Sequence, residues 1–260
     1  MEILENILDK YKNLSQVKAI AIGGSNSAKS FDNMSDIDVY VFITEDIPLN
    51  IRESIVKPIS SKYEVGGEYF GAGDEFFVDK LNKQLDVMFW NVSWFENTIN
   101  NVFEKFYPSN GYSTCFLYTL SIFNIIYDNN NWLKNLQDKV KTEYPEQLQK
   151  NIIKRNIMLL KDKPFASYYE QIEKAIKRND LNSINHRISA FLASYFDIIF
   201  AKNKLLHPGE KRLVKYCKNN CKILPKNFEK NINQLLTQPN KDTMLILDEI
   251  IKNLKETINS

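Results

Sequence analysis

The run Asp36-Ile37-Asp38-Val39-Tyr40-Val41-Phe42 constrains the fold of this chain more than any other. Side chains two apart on a strand share a face, so Asp36 and Asp38 project together while Ile37, Val39 and Val41 point the opposite way. The segment therefore reads as a strand with a buried apolar face and an open acid face. Adjacent carboxylates repel each other unless a cation sits between them. Two of them on an otherwise apolar strand predict a divalent metal site, most simply Mg2+ because all the ligands are oxygen. The upstream turn Gly23-Gly24-Ser25 supplies the complement. Gly24 allows a close backbone approach, and Ser25 offers a hydroxyl and an amide suited to the oxygens of a phosphate chain.

Around this element the hydrophobic period changes once. Ile3, Leu4, Ile7, Leu8 and Tyr11 recur at helical spacing, and residues 17–22 form a short β-rich run that ends at the glycines. A helix over about 50–60 follows Pro48, and residues 65–77 read as a strand ending in a glycine-rich loop that contains Tyr69, Phe70, Asp74 and Glu75. In Leu85-Asp86-Val87-Met88-Phe89-Trp90, the side chains of Asp86, Met88 and Trp90 share one face, which places a third acid on a strand. From Trp94 onward the period is helical, with prolines between helices and no further strand expected. The expected fold class is α+β: an α/β domain with a mixed sheet over residues 1–105, then an all-helical domain over 106–260.

Composition excludes several classes of function. Lys and Arg number 34 against 32 Asp and Glu, and a net charge of +2 gives no strong signal for nucleic acid or an anionic membrane. The opening Met1-Glu2-Ile3-Leu4-Glu5 carries acids where a signal peptide needs a basic start and an unbroken apolar core. The apolar stretches 116–127 and 188–201 are interrupted by polar residues, so they read as buried helices and not as bilayer spans. Three cysteines make no disulfide framework and fit a reduced cytoplasmic setting. Cys217 and Cys221, one helical turn apart, lack further ligands and read as reduced thiols.

Asp36, Asp38 and Asp86 beside a phosphate-holding turn are the parts needed for phosphoryl or nucleotidyl transfer around one or two Mg2+ ions. Asp86, on the separate strand, is the candidate to position or deprotonate the acceptor. Gly24-Ser25 followed by Asp36-Ile37-Asp38 and a later strand Asp resembles the signature of the DNA polymerase β-like nucleotidyltransferase superfamily. The stretches Gly111-Tyr112-Ser113-Thr114, Asn185-His186-Arg187 and His207-Pro208-Gly209-Glu210-Lys211-Arg212 are similar to a bacterial group of nucleotidyltransferases with a DUF4037-type C-terminal region. The layout is also similar to that of lincosamide and aminoglycoside nucleotidyltransferases.

The resemblance implies transfer of a nucleoside monophosphate from a nucleoside triphosphate, ATP by expectation, to a hydroxyl of a small antibiotic-like acceptor in a cleft between the two domains. It implies that Asp36, Asp38 and Asp86 ligate metal and that Gly24 and Ser25 hold the triphosphate. Lys29 stands where such proteins commonly have a second glycine; it either strains the turn or reaches a phosphate. Arg187 and Lys211 are further candidates for phosphate contact, with His186 and His207 beside them in sequence. Two alternatives stay open: transfer to protein or RNA hydroxyls, and a nucleotide-binding regulator without turnover.

Overall fold

The structure is a computed structural model, in which residues 2–23, 36–69, 71–237 and 242–259 are described. The chain forms two compact units, residues 1–100 with 119–143, and residues 101–118 with 144–260. The division therefore differs from a single cut near 105, because a segment beyond it returns to the first unit.

In the first unit, α1 (Glu2–Lys12) leads to β1 (Val17–Ile22), and β2 (Ile37–Ile43) leads to α2 (Leu49–Val56). A hairpin of β3 (Lys62–Gly67) and β4 (Gly73–Val78) precedes β5 (Lys83–Asn91) and α3 (Val92–Phe103). Residues 65–77 are thus the greater part of two strands, where the sequence suggested one strand and a loop. The apolar stretch 116–127 is likewise not one helix: α4 (Cys115–Ile122) stops and β6 (Asn124–Asp128) follows, ahead of α5 (Trp132–Val140). The short run Asn124-Ile125-Ile126-Tyr127 becomes a strand because the open edge of β1 pairs with it, a long-range condition that periodicity does not reveal.

Among the described residues six strands lie in the order β3-β4-β5-β2-β1-β6. β2 and β5 pair in parallel and the other neighbours are antiparallel, so the sheet is mixed as expected. On one face Ile37, Val39 and Val41 join Leu85, Val87 and Phe89, covered by Ile7, Leu8 and Tyr11 of α1 and by Ile55 and Val56 of α2. On the opposite face, Tyr40, Phe42 and Trp90 form an aromatic layer with Phe95, Phe123 and Trp132, with ring centroids such as Tyr40–Trp90 at 4.7 Å and Phe42–Phe95 at 5.0 Å. Trp90 is committed to this layer through its contacts with Tyr40 and Phe95.

A buried ion pair ties the hairpin to α2. Arg52 Nε donates to Asp74 Oδ2 at 3.0 Å, its Nη2 donates to the other carboxylate oxygen and to Gly73 O, and its guanidinium lies 4.2 Å from the Phe89 ring centroid. The Gly66 amide completes the shell of Asp74 at 2.9 Å. Asp74, read from the sequence as part of a glycine-rich loop, is a structural anion on the inward face and 1% exposed.

The second unit is helical: α6 (Glu146–Ile157), α7 (Tyr168–Lys177), α8 (Leu181–Lys202), α9 (Leu213–Asn220), α10 (Phe228–Thr237) and α11 (Thr243–Asn259). α8 is its axis. Asp180 caps it by accepting from the Ser183 amide, and Ile188, Phe191, Tyr195, Ile198 and Phe200 enter a core shared with Ile232, Leu235, Leu247 and Leu254. Among the described residues no helix is long and apolar enough to cross a membrane.

Removing one partner of a buried ion pair strands the other, which costs about 3–5 kcal/mol. Arg52→Leu is expected to lower the unfolding free energy by that amount, measured by urea denaturation. An unchanged midpoint would show that Asp74 is held by its other contacts alone.

Candidate active site

The acid face of the sheet is assembled by register. β2 and β5 run parallel with Asp38 directly opposite Asp86, β5 and β4 place Asp86 opposite Glu75, and β4 and β3 place Glu75 opposite Glu64. Four carboxylates therefore cross four adjacent strands in one row, at the strand spacing of about 4.8 Å. Asp38 and Asp86 are half-buried, and Glu75 and Glu64 are exposed. Asp36 directly precedes β2 and is exposed, two residues from Asp38 in the chain.

Neighbouring groups hold this row. Gln84 Nε2 donates to Asp86 Oδ1 at 2.8 Å, which orients the carboxylate. Gly23 donates its amide to the Asp38 carbonyl at 3.0 Å, so β1 ends beside Asp38. A Cβ at Gly23 would lie 2.5 Å from the Tyr40 ring, so glycine there lets the aromatic layer close against the backbone. Burial first, and the Asp38 carboxylate second, push the Tyr40 hydroxyl far above its ordinary pKa. Gly24, Ser25 and Lys29, the expected phosphate-binding turn, lie outside the described residues, as does Phe70.

Beside the acids is a cavity of about 330 Å³, lined by Asp38, Glu64, Gly67, Tyr69, Glu75 and Asp86 among others. Gly67 and Gly73 face each other in register and leave its floor without side chains; a Cβ on Gly73 would meet the Val87 carbonyl at 2.9 Å. Tyr69 is 90% exposed at its edge. Glu64 and Glu75 are the members that sequence reasoning missed or left undecided. Burial alternates through Glu75, Phe76, Phe77 and Val78, but the adjacent phenylalanines leave no polar–apolar alternation in the sequence to mark the strand.

Residues 116–213 match DUF4037, a domain of unknown function. No curated protein matches the sequence. Among solved structures, a nucleotidyltransferase-like protein from Exiguobacterium sibiricum 255-15 aligns over 99% of this chain and 74% of its own, at 9% identity and a TM-score of 0.50. The fold is nucleotidyltransferase-like. A STING-associated CdnE c-di-GMP synthase from Capnocytophaga granulosa (16% identity, 99% and 79% coverage, TM-score 0.28) also matches. So does the spectinomycin adenyltransferase AAD(9) from Enterococcus faecialis (16%, 97% and 96%, TM-score 0.29).

In the second unit the C-terminal motifs divide into structural and exposed residues. Gly111, at φ +85°, donates to Asn156 Oδ1, and a Cβ there would lie 2.8 Å from the Ala193 Cβ. Ser113 donates its amide and hydroxyl to Asp197, which also accepts from Asn156. Thr114 Oγ1 accepts the His207 amide at 2.8 Å. His207 is fully buried between the Tyr112 and Phe200 rings, and its Nδ1 accepts from Gly209. His186 is exposed, Arg187 half-buried and Lys211 exposed. All three cysteines are free thiols.

Burial drives the two titrating groups of this network in opposite directions. It lowers His207 from 6.5 to about 4, so the stability its neutral ring brings is lost as pH falls through that window. It raises Asp197 from 3.8 to about 6, against the hydrogen bonds from Ser113 and Asn156, so stability present below 3.8 is lost as pH rises through 6. The slopes oppose each other over roughly pH 4 to 6. Asp197→Asn should leave the His207 slope alone, giving a stability that climbs with pH where the parent is flatter; urea midpoints across that range measure it.

Proposed function

We propose that the protein is a divalent-metal-dependent nucleotidyltransferase that moves a nucleoside monophosphate from a nucleoside triphosphate, ATP by preference, to a hydroxyl of a small acceptor. The observation that carries the reading is the in-register pairing of Asp38 with Asp86 on the open face of a nucleotidyltransferase-like sheet. Two half-buried carboxylates side by side serve no packing purpose there, and a cation between them relieves their repulsion.

The donor set fits Mg2+. Among the described residues no three acid, histidine or cysteine side chains gather tightly enough to hold an ion by themselves. Mg2+ is ordinarily held by one or two carboxylates together with substrate phosphates, not by an all-protein cage. Asp38 and Asp86, with Asp36 beside them, are the proposed carboxylates from which it would take its protein ligands, completed by phosphate oxygens, and when bound it would neutralise charge on the phosphates. Gly24, Ser25 and Lys29 are assigned to the triphosphate, with Arg187 and Lys211 as further phosphate contacts.

In the proposed reaction the acceptor oxygen bonds to the α-phosphorus as the bond to the bridging oxygen breaks. Diphosphate leaves, and the hydroxyl proton passes to Asp86, whose carboxylate Gln84 orients. The cavity over Gly67 and Gly73 is the space offered to the acceptor, with the Tyr69 ring at its edge.

The test is incubation of the protein with labelled nucleoside triphosphates, Mg2+ and a small-molecule extract. Label is expected in small products and not in protein or RNA, and a complete lack of diphosphate release with any acceptor pool would overturn the reading. Asp38→Asn and Asp86→Asn should each lower transfer by at least about 100-fold. Asp38→Asn should leave the metal-free fold as stable as before or more so, because it removes a self-repelling charge; a thermal melt without metal checks this.

A further inference from the structure

Asp86 and Glu75 line the same cavity from adjacent strands, directly opposite each other in register. Their surroundings differ. Glu75 is exposed, and its carboxylate has no hydrogen bond or ion pair among the described residues. Asp86 is half-buried, and Gln84, two residues earlier on the same face of β5, donates from Nε2 to its Oδ1 at 2.8 Å.

That bond supplies what the rest of the row does not. Asp86 is paired laterally with Asp38 on one side and Glu75 on the other, so both of its register partners carry charge of its own sign. No Lys, Arg or His is among the described residues lining the cavity. The torsion that rotates a carboxylate is broad, without staggered wells to fix it. An Asp86 without a donor would therefore turn freely under repulsion from two directions, and the amide of Gln84 stops that rotation.

Glutamine suits this position by length and by charge. Residues i and i+2 on a strand lie roughly 7 Å apart, a span its side chain crosses to reach Asp86, whereas asparagine is one methylene shorter. Gln84 is itself half-buried, with Phe77 of β4 opposite it in register. Being neutral, it leaves the acid face with the negative charge that a divalent cation requires, where Lys or Arg would compete for the carboxylate.

We infer that Gln84 is a positioning residue, which sets Asp86, and not its neighbour Glu75, as the acid that works with Asp38 on the divalent cation and the acceptor hydroxyl. The inference rests on the function proposed above, to which it adds a residue that acts only through Asp86.

Binding of Mn2+ alone, followed by the electron paramagnetic resonance signal of the free ion, is compared in the full chain and in Gln84→Met, Gln84→Asn and Glu75→Gln. Transfer kinetics are measured in parallel at saturating Mg2+. Met keeps the length and loses the donor, Asn keeps the donor and loses the reach, and thermal melts without metal establish that the variants fold. Both Gln84 variants should weaken Mn2+ binding by about tenfold. The loss should exceed that of Glu75→Gln, although the Glu75 substitution removes a charge and the others remove none. Their kcat should fall by about tenfold with the KM for triphosphate held. Parental Mn2+ affinity and kcat in both Gln84 variants overturn the role of Gln84 and leave the proposed function standing. A parent that binds Mn2+ but transfers to no acceptor counts against the proposed function; the Mn2+ comparison then decides Gln84, with weaker binding in both variants supporting it and equal binding overturning it. A parent that binds no Mn2+ and transfers nothing overturns both.

Discussion

Parallel pairing of β2 with β5 is the constraint on which the first unit depends. Both strands alternate apolar and polar residues, and the register that sets Val39 against Val87 also sets Asp38 against Asp86. A slip of one residue would turn an aspartate into the core and expose Leu85. Two carboxylates at strand spacing repel each other by about 1–4 kcal/mol, depending on how far solvent screens them. Burial of Ile37, Val39, Val41, Leu85, Val87 and Phe89 contributes about 1.5–3 kcal/mol per side chain. Burial wins, and the acid row is held in place by the opposite face of the sheet.

The same alternation separates two acids that are adjacent in sequence. Asp74 points inward, where Arg52 and the Gly66 amide satisfy it, while Glu75 points outward into the row beside Asp86. Their chemistry is equivalent and their roles are opposite. Arg52 reaches Asp74 from α2 while lying on the Phe89 ring, so the ion pair that stabilises the hairpin also fixes the height of β4 against β5. The position of Glu75 thus follows from a contact on the other side of the sheet.

These relations explain which features were legible in the sequence. β2, β5 and their acid faces were legible because alternation is local, and α8 was legible because its apolar positions recur over many turns. The partners were not legible: that Asp86 lies opposite Asp38, or that Glu75 and Glu64 continue the row, is a statement about register between strands far apart in sequence. β6 failed for the same reason. Its few apolar residues continue a helical pattern, and only the free edge of β1 makes them a strand. The domain limit moved with it, because 119–143 follows β6 into the first unit.

In the second unit, the motifs that look most chemical in sequence are largely occupied by the fold. Ser113 and Asn156 offset part of the burial cost of Asp197, Thr114 takes the His207 amide, and Gly111 makes room for α8. A buried polar group without partners is expensive, so such networks are explained by packing before any ligand is invoked.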